Sequence, residues 1–491
     1  MSAFDTATHS LLQQLGPEQV RTDDATRYHA SMDNLRFSRL PAASILPEDE
    51  NSIATVLELA NEYGVPITAR GAGSATTGST SPIQGSWVLD LSHWKAVHID
   101  PLARMAYVQP GVTLAELNAA AASHGLFYPP DPGSRAHATV GGTIATNAGG
   151  MRGAKYGVTR DYVLSLEGFL ANGEFVRWGA NLRKFAAGYN MRDLWIGSEG
   201  TLGIITGAVL KLLPTPAHRC TALAIFDSAE AALQASRKLL MAGATPSALE
   251  FIDALSIESA FRFWRRTDPE TLNRIPLILA KWEQADEQPS ILLIETDGSR
   301  AEATAAMELI LENIRPLAQG IHSAKNPETT EQLWKIRRSC SQAMFEWGSR
   351  KLNEDVVVPP EAHLDLLDFV KELRQSTGLA TPTFGHVADG NFHVHIMYDD
   401  EDPIAAQSAR KALQKLMEKV IELGGAISGE HGVGLAKSVF LDLQHGPAER
   451  AAMQAIKTAL DPKNILNPDK IWSPFETGSL KRESVRLPWD H

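Results

Sequence analysis

RGAGSATTG at 70–78, directly after the apolar run Val65–Ala69, is the stretch whose reading decides the fold. A strand followed by closely spaced glycines lets several backbone amides turn toward one phosphate. The loop is not a Rossmann fingerprint, because Thr76 stands where the third glycine would fall. Nor is it a P-loop, since no Gly-Lys-Ser/Thr follows. The same turn chemistry recurs downstream in DPGS at 131–134, VGGTIATNAGG at 140–150, KYG at 155–157 and GSEGTLGII at 197–205. A set of five such turns points to one extended phosphate-bearing ligand.

The flanking sequence supplies ordinary α/β elements. Asp49 can cap a helix whose Ile53, Val56, Leu57 and Ala60 share one face, stopped by Gly64. Val88–Leu91 and Met105–Val108 read as strands. Thr113 and Glu116 make a capping-box pair. The stretch 128–150 reads as nearly all turn. Beyond Pro214 and Pro216 a strand–helix unit occurs twice, at 222–241 and 291–314, which predicts a split, ferredoxin-like arrangement. Helices are expected at 329–347, 362–376 and 447–460. The expected organisation is a helical lead-in (1–35), a glycine-turn domain (36–217), a second domain (218–436), a C-terminal helical segment (437–473) and a polar tail (474–491).

Near the C-terminal end lie GHVADGNFHVH at 385–395 and GGAISGEHGVG at 424–434. They offer His386, His393, His395, Glu430 and His431. Two histidines and a carboxylate suit zinc, manganese or iron, and three protein ligands leave positions open for a substrate. On a strand over 391–396, His393 and His395 face the same way. LWKIRRSCS at 333–341 places Arg337 and Ser341 on one helix face.

With 491 residues and a formal net charge of -12, the chain is long enough for two or three cores and has no basic tract that would favour nucleic acid. Cys220 and Cys340 lack metal-type spacing and read as buried thiols of a reducing compartment. The N-terminus has no secretory or transit pattern and no apolar run reaches ~18 residues, so a cytoplasmic protein is expected, with peripheral membrane attachment through partners left open.

RGAG, DPGS, VGG…NAGG and GSEGTLG, in this order, resemble the FAD-binding, PCMH-type domain of the vanillyl-alcohol-oxidase superfamily. GHVADGNFH, GEHGVG and LDPKNILNPDKIW resemble its D-lactate dehydrogenase, glycolate oxidase and D-2-hydroxyglutarate dehydrogenase group. The resemblance spans about 36–472. It implies an α+β protein: an FAD domain of two α/β subdomains plus a ferredoxin-like antiparallel substrate cap. FAD would lie on Arg70, Gly71, Ala72, Gly73 and Ser74. Pro132, Gly133, Ser134, Gly141, Gly142, Thr143, Asn147, Gly149, Gly150, Glu199, Ile205 and Asn467 would complete its site. Relatives that bind FAD covalently use a histidine in the first loop; here the loop has Ser74, Thr76 and Thr77, so non-covalent FAD is expected.

By the same resemblance His386, His393 and Glu430 match metal ligands, zinc first, and His431 matches the catalytic base. Arg337 matches the substrate-carboxylate arginine, with Ser341 and Lys351 as weaker substrate contacts. His395 departs from the group's pattern; an extra ligand, a substrate contact and a packed histidine all stay open. The implied reaction oxidises a D-2-hydroxy acid, D-lactate first, to the 2-oxo acid. Hydride passes to flavin N5, and electrons go on to a quinone, cytochrome or electron-transfer flavoprotein. Glycolate or D-2-hydroxyglutarate are alternative substrates. More remote are an alkyl-glycerone-phosphate-synthase-like transferase and a non-catalytic flavin subunit. Partner subunits and a homodimer are compatible with the sequence.

Overall fold

The computed structural model describes residues 3–274 and 289–472. The expected polar tail, 474–491, lies outside the described residues. The chain forms two compact units. Among the described residues, one comprises 3–149, 158–215 and 430–472; the other, 150–157, 216–274 and 289–429.

In the first unit a four-stranded sheet runs in the order Val20–Arg21, Ala43–Ile45, Trp87–Asp90, Ile67–Arg70. Its last three strands are parallel. The Glu50–Tyr63 helix supplies the crossover. Asp49 caps it by accepting from Ser52 N at 2.8 Å, and Gly64 ends it in the left-handed region at φ 67°. Its face of Ile53, Val56, Leu57 and Ala60 packs into one core with Trp87 and Leu89. The lead-in belongs to this body. Ala7 and Leu11 of the Ala3–Leu15 helix are fully buried in the same core, and Val20–Arg21 pairs with the sheet edge.

The second sheet of this unit is antiparallel and ordered Val97–Asp100, Met105–Val108, Ile204–Lys211, Val163–Phe169, Phe175–Gly179. Thr113 and Glu116 form the expected capping box of the Leu114–Ala122 helix. Residues 128–150 depart from the all-turn expectation: Val140–Thr146 is a helix. Thr139 caps it, and Asn147 ends it at φ 52°. Two glycines cost such a short helix stability, but Val140, Thr143 and Ile144 are buried, and packing overrides propensity.

The second unit is built on a seven-stranded antiparallel sheet. Four strands follow the β-α-β-β-α-β pattern: His218–Phe226, helix Ala229–Met241, Ala248–Ile252, Ser290–Gly298, helix Arg300–Ile314, Gly320–Ser323. Numbered one to four within this group, they lie in the order 4-1-3-2, the ferredoxin-like arrangement. Thr383–His386, Asn391–Tyr398 and Arg350–Val357 extend the sheet beyond Ala248–Ile252. The Ala254–Thr267 and Pro327–Ala343 helices share a core with one face, through Trp264, Leu333, Ile336 and Cys340 against Leu223, Ile252 and Leu293. The expected 329–347 helix stops at Ala343 and tightens into a 3₁₀ turn, Met344–Glu346.

The KYG turn differs from the other glycine turns. Gly153–Tyr156 is one helical turn of the second unit. Lys155 and Tyr156 there donate to the buried carboxylate of Asp297, at 2.5 and 2.8 Å. Both cysteines are free; Cys340 is buried as expected, whereas Cys220 is only partly so. Among the described residues no helix is long and apolar enough to cross a membrane.

Candidate functional site

Strand register decides which polar side chains of the second unit meet. Glu250 pairs with His386, Phe384 with His393, Asp355 with His393 and Asn353 with His395. Directly paired residues share a sheet face, as do residues two apart. Glu250, Phe384, His386, His393, His395, Lys351 and Asp355 therefore line one face. It is the face that the Pro327–Ala343 helix covers, and that helix brings Arg337 to the row.

Glu250 is the centre of this row and is fully buried. One carboxylate oxygen lies 2.6 Å from His386 Nδ1; the other accepts from Arg337 Nε at 2.5 Å. Burial pushes the Glu250 carboxyl up, but its electrostatic interactions and hydrogen bonds with His386 and Arg337 outweigh this and hold it below the usual range. Arg337 Cζ stacks 4.3 Å over the Phe384 ring. His386 Nε2 and His393 Nε2 face each other at 3.5 Å.

The weaker candidates also gather here. Lys351 Nζ reaches Ser341 O at 3.1 Å and Ser341 Oγ at 3.2 Å. Burial lowers its ammonium to about 8. His395 is 1% exposed, its ring 4.9 Å from Phe384 and its Nδ1 3.3 Å from Pro382 O. Burial, then the Lys351 charge, holds it well below the ordinary histidine value, so it is neutral.

Asp355 fixes the end of the second glycine segment. It accepts from Asn391 Nδ2 at 2.7 Å, Ser428 Oγ at 3.1 Å and Gly429 N at 2.9 Å. A Cβ at residue 429 would come within 2.5 Å of Asn391 Nδ2, so only glycine permits this approach. Glu430 and His431 are the next two residues of the chain.

In the first unit the glycine segments converge. A Cβ on Gly71 would lie 2.2 Å from the Thr139 hydroxyl, the cap of the Val140 helix, so the first loop and that helix are in direct contact. The Arg70 guanidinium points away from solvent, donating to Met32 O at 2.8 Å and Thr80 Oγ1 at 3.4 Å. Glu199, at φ 53°, accepts from Val433 N at 2.7 Å and Gly434 N at 2.9 Å. Burial pushes its carboxyl up to about 7. The Asn467 side chain donates to Ser79 O and Glu199 O and accepts from Thr68. Glu199 and Asn467 therefore tie the glycine segments of this unit together through their side chains. His431 Nε2 lies 3.8 Å from Glu430 Oε1, and Thr77 anchors the His431 carbonyl at 3.4 Å.

Glu250 and Asp355 were not among the sequence candidates. Their only local signal is a single carboxylate inside an apolar strand, SALEFI at 247–252, and an acidic pair just before VVV at 356–358. A charge in such a run is buried, and buried charges are paired.

Residues 41–179 match the FAD binding domain model, and 215–471 match the model described as FAD linked oxidases, C-terminal domain. The glycolate oxidase subunit GlcD of Bacillus subtilis is 37% identical over 94% of this chain and 96% of its own length. A D-lactate dehydrogenase of Anaerostipes hadrus is 32% identical over 94% and 96%. The mitochondrial D-lactate dehydrogenase [cytochrome] of Arabidopsis thaliana is 30% identical over 95% and 80%. Among solved structures, p-cresol methylhydroxylase superposes with a TM-score of 0.79 at 18% identity, over 96% of each chain. Alkyldihydroxyacetonephosphate synthase does so at 0.74 and 20%, over 94% of this chain and 84% of its own; at these identities both share the fold.

An FAD-binding domain carrying a non-histidine first loop makes one outcome specific. Denaturing the purified protein in detergent should release all the flavin, leaving a non-fluorescent protein band; flavin retained in that band would overturn non-covalent binding. The glycine-turn domain, the ferredoxin-like second unit and two domain matches that together span most of the sequence lead to one assignment: the chain belongs to the FAD-linked oxidases, in their FAD-dependent D-2-hydroxy-acid dehydrogenase group.

Proposed function

We propose that this protein oxidises a small D-2-hydroxy acid, D-lactate first and glycolate next, with FAD and a divalent metal held by His386, His393 and Glu430. The observation that carries the reading is the polar row of the second unit. Two imidazole nitrogens face each other at 3.5 Å, with a buried guanidinium tied to the same carboxylate as one of them.

That donor set fits a divalent cation. Two nitrogens at 2.0–2.1 Å from a tetrahedral zinc are separated by roughly 3.3–3.4 Å. His386 Nδ1 faces the Glu250 carboxylate, the arrangement in which a metal-ligating histidine donates its other ring nitrogen to a carboxylate. Once bound, the metal would supply Lewis acidity toward the substrate oxygens, and FAD would supply the two-electron acceptor.

The chain's own residues do the rest. Among the described residues, Arg337 hydrogen-bonds through Nε alone, leaving its paired Nη groups for the substrate carboxylate. Lys351 adds positive charge beside Ser341. His431 takes the hydroxyl proton, a task suited to imidazole near neutrality. The names of the relatives support both glycolate and D-lactate as substrates. The Arabidopsis relative's name supports a cytochrome acceptor; a quinone or electron-transfer flavoprotein also suits. A cytoplasmic location and a zinc ion, ahead of manganese or iron, complete the reading.

Metal analysis tests it. About one equivalent of divalent metal per flavin is expected. Chelation should abolish flavin reduction by hydroxy acid, and re-addition should restore it. Full activity in protein stripped of metal would contradict the reading.

Arg337 gives a further expectation. Arg337→Lys keeps the charge but loses the fork, and should raise KM by about 10–100-fold, as losing one charged hydrogen bond costs roughly 1.5–3 kcal/mol. Arg337→Ala removes the cationic partner of the buried Glu250 carboxylate and leaves it only His386, so thermal unfolding should also show a loss of about 3–5 kcal/mol. An Arg337→Lys protein with unchanged KM would remove the anchor.

A further inference from the structure

We propose that Glu250 is a positioning residue that makes the metal-side histidine and the carboxylate-binding arginine one unit. It does so by holding His386 with one carboxylate oxygen and Arg337 with the other. The inference rests on the function proposed above and adds a residue to it.

The hydrogen-bond chemistry is restrictive. An ionised carboxylate only accepts, so His386 donates from Nδ1, and the neutral imidazole then carries its lone pair on Nε2. That lone pair points at His393 Nε2, 3.5 Å away. The second oxygen fixes Arg337 through Nε, and Phe384 backs the guanidinium at 4.3 Å. Phe384 also contacts His393, with ring centroids 5.4 Å apart. Glu250 and Phe384 therefore set the separation between the two imidazoles and the guanidinium. All of these groups are at least 91% buried, so water cannot substitute for a lost partner.

A glutamine at this position can serve both neighbours only if His386 changes tautomer. Its single oxygen will go to the charged guanidinium, the stronger donor. Its amide NH₂ then faces His386 Nδ1, which must become the acceptor. The proton moves to Nε2 and the ligating lone pair is lost. Aspartate keeps the charge but is one methylene shorter.

The test is a zinc titration by calorimetry of the FAD-loaded full chain stripped of divalent metal. Glu250→Gln should weaken zinc binding by about 10–100-fold. Glu250→Asp should recover part of that loss. An unchanged zinc Kd in folded Glu250→Gln, even with a lower Tm, would overturn the proposal and leave a structural ion pair. If the wild-type chain itself takes up no zinc, the metal reading fails, and this inference with it. Should Glu250→Gln not fold, ¹⁵N histidine spectra of the metal-free wild type decide. The Nδ1–H tautomer at His386 supports the proposal; the Nε2–H tautomer overturns it.

Discussion

Replacing His431 with alanine should leave FAD bound and slow flavin reduction by about 10²–10⁴-fold, the range for a lost general base. The reasons are local. The loop carrying His431 is held by its backbone: Val433 and Gly434 amides donate to Glu199, and Leu435 and Ala436 amides donate to Thr77 O. None of these bonds uses the imidazole. The glycine segments expected to cradle FAD keep their own contacts, such as Gly71 against Thr139. Stopped-flow reduction under anaerobic conditions reads the chemical step directly. A His431→Ala protein that reduces its flavin at the wild-type rate would remove the histidine from the mechanism.

His393→Ala should have an effect of similar size by a different route. It removes one of the two facing imidazoles, and Glu250 continues to hold His386. Divalent metal should fall to sub-stoichiometric levels while the flavin stays at one per chain. Reduction by hydroxy acid should drop by roughly 10²–10³-fold if Lewis-acid stabilisation contributes several kcal/mol. His393 is 5% exposed and packs on Phe384, so some loss of Tm is expected from the cavity. Metal content and Tm together separate the two effects. Unchanged metal content would move the site elsewhere.

Where the fold was legible, the signal was short-range. Asp49, Gly64, Thr113 and Glu116 marked helix ends because caps act within one turn. His393 and His395 were placed on one face because a strand alternates. The ferredoxin-like unit showed itself because its strand–helix alternation is sequential. Helix Val140–Thr146 was hidden by its glycines, since its stability comes from burial of Val140 and Ile144. The lead-in concealed its role because Leu11 finds its partners about 40 residues away in the Glu50 helix. Most consequential was Glu250. Its partners His386 and Arg337 lie 136 and 87 positions away, and only sheet register reveals that they meet. Glu199 and Asn467 were singled out as flavin contacts; their side chains also tie neighbouring segments together, which no local pattern could show.

The proposed reaction is oxidation of a D-2-hydroxy acid by FAD and a divalent metal. Anaerobic mixing of the purified, metal-replete protein with D-lactate, L-lactate, glycolate and D-2-hydroxyglutarate tests it most directly, with the oxidised-flavin absorbance as the readout. Rapid bleaching by D-lactate or glycolate is expected, with little by L-lactate and loss of bleaching on chelation. Preferential bleaching by D-2-hydroxyglutarate would keep the mechanism and change the substrate. No bleaching by any of the four, in protein holding both flavin and metal, would contradict a D-2-hydroxy-acid oxidation.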